Sequence, residues 1–158
     1  KESEKTPMQK KIRFDITPVS AIRTVQGDRV FFKIPRDQLR KPGLQRLIRI
    51  ERYNKYKVSL LALAKQQRFT PLEQGMHVIF YMPVPASWRE TKKRKMHMKL
   101  HQIRPDWDNL AKGFFDGLLA EDNKICDVRV TKKWVNQERG YIEVIVNPPD
   151  QMSQDTLV

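Results

Sequence analysis

The sequence predicts a single α/β domain: a mixed sheet of about five strands, one long helix, and a short helix that carries the chemistry. Three observations lead there. Segments of alternating apolar and polar residues recur along the chain, a long stretch near 44–67 repeats apolar residues at helical spacing, and a shorter one at 109–119 does so again. With 158 residues the chain can build one domain around a modest core. A hydrophobic content of 39%, with seven Phe, four Tyr and three Trp, separates it from disordered chains.

Residues 1–10, KESEKTPMQK, are polar and aperiodic, a loose lead-in to a domain spanning 11–147. KIRFDIT alternates Ile12, Phe14 and Ile16 with Arg13 and Asp15, the pattern of a half-buried strand. After a Gly27-Asp28 turn signal, Val30, Phe32 and Ile34 alternate as a second strand, which Pro35 stops. Pro42-Gly43 opens the long helix at about 44–67, with a face of Leu47, Ile50, Asn54, Val58, Leu61 and Ala64 that Tyr53 and Tyr56 blur. HVIFYMPVP is the next strand. The stretch 88–104 has no clean apolar period. In 109–119, Leu110, Phe114 and Leu118 fall at i, i+4 and i+8, with Asp108 placed as N-cap. EDNK turns the chain into the strand ICDVRVTKKWV, and residues 136–140 lead into YIEVIV, read as the second arm of a β-hairpin. The tail from Pro148 to residue 158 is polar.

Charge restricts the class of partner. The chain has 31 Lys and Arg against 18 Asp and Glu, a net charge of +13 with a pI near 10. Such a surface favours a polyanion, of which nucleic acid is the commonest. The single cysteine, Cys126, excludes an intramolecular disulfide, and its place in an apolar strand pattern predicts a buried, inert thiol. The longest apolar run, LLALA, is too short to span a bilayer, and no signal peptide is visible. A cytosolic protein is expected. The chain does not begin with Met, as expected of processed or trimmed material.

Against this cationic background, RPDWDNLAK at 104–112 places Asp106 and Asp108 two residues apart at the start of a helix. Two carboxylates so spaced can reach one divalent cation, and Mg²⁺ takes one or two carboxylates with water and phosphate oxygens. A phosphodiester is the matching substrate. Lys112, one turn on, can touch a phosphate oxygen or the attacking water, and Asp122 supplies a third carboxylate. A plainer account exists: a helix cap, an Asp108–Lys112 ion pair, and an ordinary turn at Asp122. Taken alone, the D-x-D pattern favours that account. Asp116 is read as a surface or helix-packing residue rather than a ligand.

The order of the parts alters the balance. RPDWDNLAKGFFDGLLAEDNKI, followed by V-x-V-x-K-K and a closing strand, resembles the core of the RusA family of Holliday-junction resolvases over about 104–146. The resemblance rests on Asp106, Asp108, Asn109, Leu110, Lys112, Asp116, Leu118, Glu121 and Asp122. It implies a homodimeric endodeoxyribonuclease, dependent on Mg²⁺ or Mn²⁺, that nicks opposed strands of a four-way DNA junction. It implies Asp106, Asp108 and Asp122 as essential metal-binding carboxylates and Lys112 as an essential partner, in a bacterial or phage-infected cytoplasm. Two departures stand out: Glu121 replaces an aspartate, and TPVSAIR replaces a Pro-Pro-Ser-x-Asn-like stretch near the N-terminus.

The basic stretch 88–104 holds seven Lys or Arg and two His against one Glu. Lys92, Lys93, Arg94, Lys95, Lys99 and Arg104 are the candidate DNA contacts, giving salt-dependent affinity without sequence choice. A solvated charged loop is the alternative. His97 and His101 are too few for a structural zinc site. Trp88, Trp107 and Trp134 could stack on bases, although burial is the commoner fate of tryptophan. Other functional readings are a metal nuclease for flaps or forks and a non-catalytic DNA-binding module.

One expectation concerns distance. A helix over 109–119 is about 16 Å long, and the three residues beyond it reach at most roughly 11 Å. Asp122 should therefore not return to Asp108, so a two-fold dimer would complete each site with Asp122 from the other subunit.

Overall fold

The computed structural model describes residues 9–71 and 75–146. The expected lead-in and tail lie almost wholly outside these residues. The elements are β1 (Lys10–Phe14), α1 (Asp28–Phe31), a 3-10 turn (Arg36–Gln38), α2 (Lys41–Gln66), β2 (Met76–Pro83), α3 (Glu90–Met96), α4 (Trp107–Leu118), β3 (Val128–Val135) and β4 (Tyr141–Val146). The α/β architecture is the expected one, with a four-stranded mixed sheet in the order β1-β4-β2-β3.

Register follows from alternation. Val144 of β4 lies between Ile12 of β1 and Val78 of β2, both antiparallel to it, while Val78 faces Val130 of the parallel β3. One face of the sheet thus gathers Phe14, Val78, Phe80, Ile142 and Val144, all buried. Helices α2 and α4 cover it. Phe114 of α4 inserts between Phe14 and Phe80 with edge-to-face ring contacts at 5.5 and 6.0 Å. Ile79, Tyr81, Val135 and Tyr141 form a smaller cluster elsewhere on the sheet.

Several elements differ from expectation. Val30 and Phe32 do not belong to a strand: residues 28–31 are a short helix, and Val30 and Phe32 are 55% exposed. What fixes this segment is the buried Asp28, whose carboxylate accepts from Arg46 of α2 at 2.5 and 2.8 Å and from the Val25 N–H at 2.7 Å. A buried charge in this position requires such partners. Strands β3 and β4 do not form a hairpin, because β2 lies between them. The connection crosses the end of β2 at Gly140, where a Cβ would lie 2.2 Å from the Tyr81 carbonyl oxygen. The nearly unbroken apolar run of β2 is the mark of that inner position.

The buried stripe of α2 is Leu47, Ile50, Tyr53, Tyr56, Leu60 and Ala64, so the tyrosines belong to the core face, while Val58 and Leu61 face solvent. Cys126 is exposed, correcting the expected buried thiol, because β3 begins only at Val128. The charged stretch 88–104 contains a helix, α3, with no buried residue. Beyond it, Leu100 bridges to Lys133, so residues near 100 cover the outer edge of β3. Among the described residues, no helix is long and apolar enough to cross a membrane.

Candidate active site

Helix α4 places the predicted residues. It begins at Trp107, two residues earlier than expected, so Asp106 and not Asp108 occupies the N-cap position, and no side-chain cap bond is made there. Asp108 falls in the first turn, its Oδ1 accepting the Asn109 N–H at 2.9 Å. Asp106 and Asp108 are both exposed. Leu110, Gly113, Phe114 and Phe115 turn into the core and fix the helix, leaving its charged side to solvent.

The same side brings Lys112 and Asp122 together within one chain. The Lys112 Nζ lies 3.4 Å from Asp116 Oδ1 and 3.5 Å from Asp122 Oδ2. Asp122 therefore comes back as far as Lys112, one turn into the helix, and among the described residues not to the start of the helix where Asp106 and Asp108 stand. The helix ends at Leu118, Leu119 is extended, and a turn closed by the Ile125 N–H on the Asp122 carbonyl directs the carboxylate back. The long lysine side chain spans the remaining gap, so no second subunit is needed to pair them.

Electrostatics define what Lys112 can do. Asp116, then Asp122, hold its ammonium charged by raising its pKa above 10.5. It is a fixed cation in neutral solution, not a proton acceptor. Asp116 is in turn anchored by the Tyr53 hydroxyl, which donates to its Oδ2 at 3.3 Å. Burial, then the Asp116 charge, push Tyr53 up to about 12, so the phenol keeps its proton. Asp116 thus packs α4 against α2, as the sequence suggested.

Lys132 is the residue that sequence reasoning passed over. Alternation along the edge strand β3 turns it toward the loop before α4, where its Nζ donates to the carbonyls of Ile103 and Pro105 at 2.8 and 2.7 Å. Burial lowers its pKa, and the neighbouring Asp106 charge works against that shift. Lys132 thereby holds the backbone immediately before Asp106. The available signal was the Lys132-Lys133 pair of the V-x-V-x-K-K stretch, to which no role was assigned.

Asp106 also lines an open groove of about 790 Å³, walled by the 18–23 segment, by arginines of α2, and by Arg104 and Pro105. The Ala21 N–H donates to the Asn109 carbonyl at 3.0 Å, seating this segment on α4. TPVSAIR, which departs from the expected motif, is therefore a wall of the site.

The six basic candidates differ in setting. Lys93 is paired with Glu90 at 3.3 Å and mostly covered, while the Lys92 ammonium lies 4.1 Å above the Trp88 ring. Arg94, Lys95 and Lys99 are exposed, and Arg104 reaches the groove. His101 is buried against Trp134 and His97 Nδ1 accepts the Asn136 N–H, so the two histidines do not form a metal pair. Trp134 is buried and Trp107 is 59% exposed.

Exposed oxygen donors at Asp106 and Asp108 suit a hard cation that keeps most of its water. Among the described residues, no three His, Cys, Asp or Glu side chains are gathered to hold a metal ion, so Asp122 is turned to Lys112 and not to the pair.

Comparisons with known proteins show the family. The family model described as Endodeoxyribonuclease RusA matches residues 33–146, from before α2 to the end of β4. A protein of Bacillus subtilis (strain 168), Uncharacterized protein YqaN, is 30% identical over 135 residues, covering 78% of this chain and 92% of the relative.

Proposed function

The chain belongs to the RusA endodeoxyribonuclease family, and from that premise we propose that it hydrolyses phosphodiester bonds at four-way DNA junctions, as a homodimer using Mg²⁺ or Mn²⁺. The observation that carries the reading is the cation–carboxylate set on α4: Asp106 and Asp108 at its start, with Lys112 held between Asp116 and Asp122.

In this reading Asp106 and Asp108 would hold the divalent ion, and Asp122 would supply a third carboxylate. The ion supplies charge neutralisation on the phosphoryl oxygens and lowers the pKa of a bound water. Lys112, whose ammonium Asp116 and Asp122 keep charged, would bind a non-bridging oxygen. Asp116 keeps the lysine in place through Tyr53. Lys132 fixes the backbone before Asp106, so that carboxylate is held in place for the ion. Lys92, Lys93, Arg94, Lys95, Lys99 and Arg104 contribute phosphate contacts.

The test is incubation with a labelled synthetic four-way junction, with Mg²⁺ and then with EDTA, beside linear duplex. Paired nicks in the junction that vanish with EDTA are expected. Equal cutting of flaps or forks would broaden the substrate to branched DNA in general. Binding without cutting under any divalent ion would leave a DNA-binding module.

A further inference from the structure

The groove that Asp106 lines has a composition that the acidic site does not require. Five arginines line it, Arg23, Arg46, Arg49, Arg52 and Arg104, and Asp106 is its one acidic residue. Arg46 is committed to the buried Asp28. The other four are exposed, and none has a carboxylate partner among the described residues. Four unneutralised guanidiniums along one concavity repel each other and concentrate a field that an anion would relieve. Arg49 and Arg52 are three residues apart on α2, a rise of about 4.5 Å, so a single small anion does not account for the whole row. Guanidinium forks match phosphate oxygens, and a repeating phosphodiester supplies one anion for each.

We propose that this groove is a track for one DNA strand, in which Arg23, Arg49, Arg52 and Arg104 grip successive phosphates and lead the strand to Asp106. The proposal rests on the nuclease reading for the nature of the polyanion. It adds a surface on α2, separate from the basic α3 segment. The rigid helix fixes the approach of the strand, while Arg46, tied to Asp28, holds the loop at 23–28 against α2 and keeps the groove wall in place. The part of the track beside Asp106 is where a scissile phosphate would arrive.

The experiment compares the unmodified protein with Arg49→Ala/Arg52→Ala, Arg49→Lys/Arg52→Lys and Lys92→Ala/Arg94→Ala/Lys95→Ala. Binding of a fluorescent four-way junction is followed by anisotropy over a salt series without divalent ion, and nicking is read separately with Mg²⁺. Both α2 positions are exposed and alanine favours helix, so melting curves should match the unmodified protein; Arg49→Gln/Arg52→Gln replaces the alanine pair if they do not. The alanine pair should lower junction affinity roughly tenfold or more and reduce the salt slope by roughly two, about one per phosphate contact. The lysine pair should keep most of the slope and lose part of the affinity. Unchanged affinity and slope in the alanine pair, in a protein that nicks junctions, overturns the groove and spares the nuclease reading. A protein that binds with a groove-dependent slope but never nicks supports the groove and overturns the nuclease. No DNA affinity in the unmodified protein overturns both.

Discussion

Lys112 sits between two acidic neighbours that raise its pKa above 10.5, so its contribution is present at lower pH and is lost only as pH rises through that raised value. Cleavage should therefore show no alkaline limb from Lys112 in the neutral range. Lys112→Gln should lose cutting at every pH, whereas Lys112→Arg should keep part of it, as a pH–rate series on the labelled junction would show. A proton-accepting lysine would instead give a rate that climbs with pH and an inactive arginine variant. The carboxylates behave differently: Asp106→Asn, Asp108→Asn and Asp122→Asn should each abolish cutting while retaining or tightening junction binding, since each removes a negative charge facing phosphate. Wild-type cutting by Asp106→Asn would return the D-x-D pair to a helix-start role. Asp28 supplies a stability counterpart. Arg46, then the Val25 N–H, lower its pKa below 3.8, so its stabilising effect is complete above the unfolded value and is lost as pH falls toward the depressed one. Asp28→Asn should melt earlier at neutral pH and show a shallower acid decline, measurable by circular dichroism. At this scale the site was legible where chemistry depends on residue type and short spacing, as in Asp106, Asp108 and Lys112. Lys132 and Asp28 were not legible, because their roles depend on partners 27 and 18 residues away.

The elements were legible where periodicity is strong and the face is single. Helix α4 and strands β1, β2 and β4 follow their apolar patterns to within a few residues. The failures have physical causes. Val30, Phe32 and Ile34 alternate, yet the ion pair of Asp28 with Arg46 sets that segment, and a pairwise charge contact has no period. Tyr53 and Tyr56 were set aside as blurring the α2 stripe, but a tyrosine can bury its ring while its hydroxyl finds a partner, as Tyr53 does at Asp116. Pairing of β4 was misassigned because alternation fixes which side chains face the core and not which strand lies beside them. One contact between elements offers a sharp test. A Cβ on Gly113 of α4 would lie 2.8 Å from the Val19 carbonyl oxygen and 3.2 Å from the Ala21 nitrogen. Alanine gains up to about 1 kcal/mol of helix propensity over glycine, yet overpacking against backbone costs about 1–3 kcal/mol. Gly113→Ala should therefore be net destabilising in chemical denaturation and should weaken nicking by displacing the 18–23 wall of the groove. A gain in stability would mean that this wall yields freely.

For the whole molecule, the decisive question is where each active centre is completed. A straight-chain estimate set Asp122 beyond reach of the start of its own helix and so called for a second subunit. The fold brings Asp122 to Lys112 at 3.5 Å inside one chain, but among the described residues it does not gather Asp122 with Asp106 and Asp108. In the proposed homodimer a centre is completed either within one subunit or by Asp122 of the other, and dimerisation serves to place two centres on opposed strands. Co-refolding separates the alternatives. When Asp106→Asn chains are mixed with Asp122→Asn chains, every subunit carries one defect, so centres built within a chain predict no nicking by any species. When unmodified chains are mixed with Asp106→Asn chains, the heterodimer holds one intact centre and should make single nicks without resolving the junction. Verified heterodimers of the two aspartate variants that nick one strand would place Asp122 in the partner's centre, and the contact with Lys112 would then be a resting pair that opens on assembly.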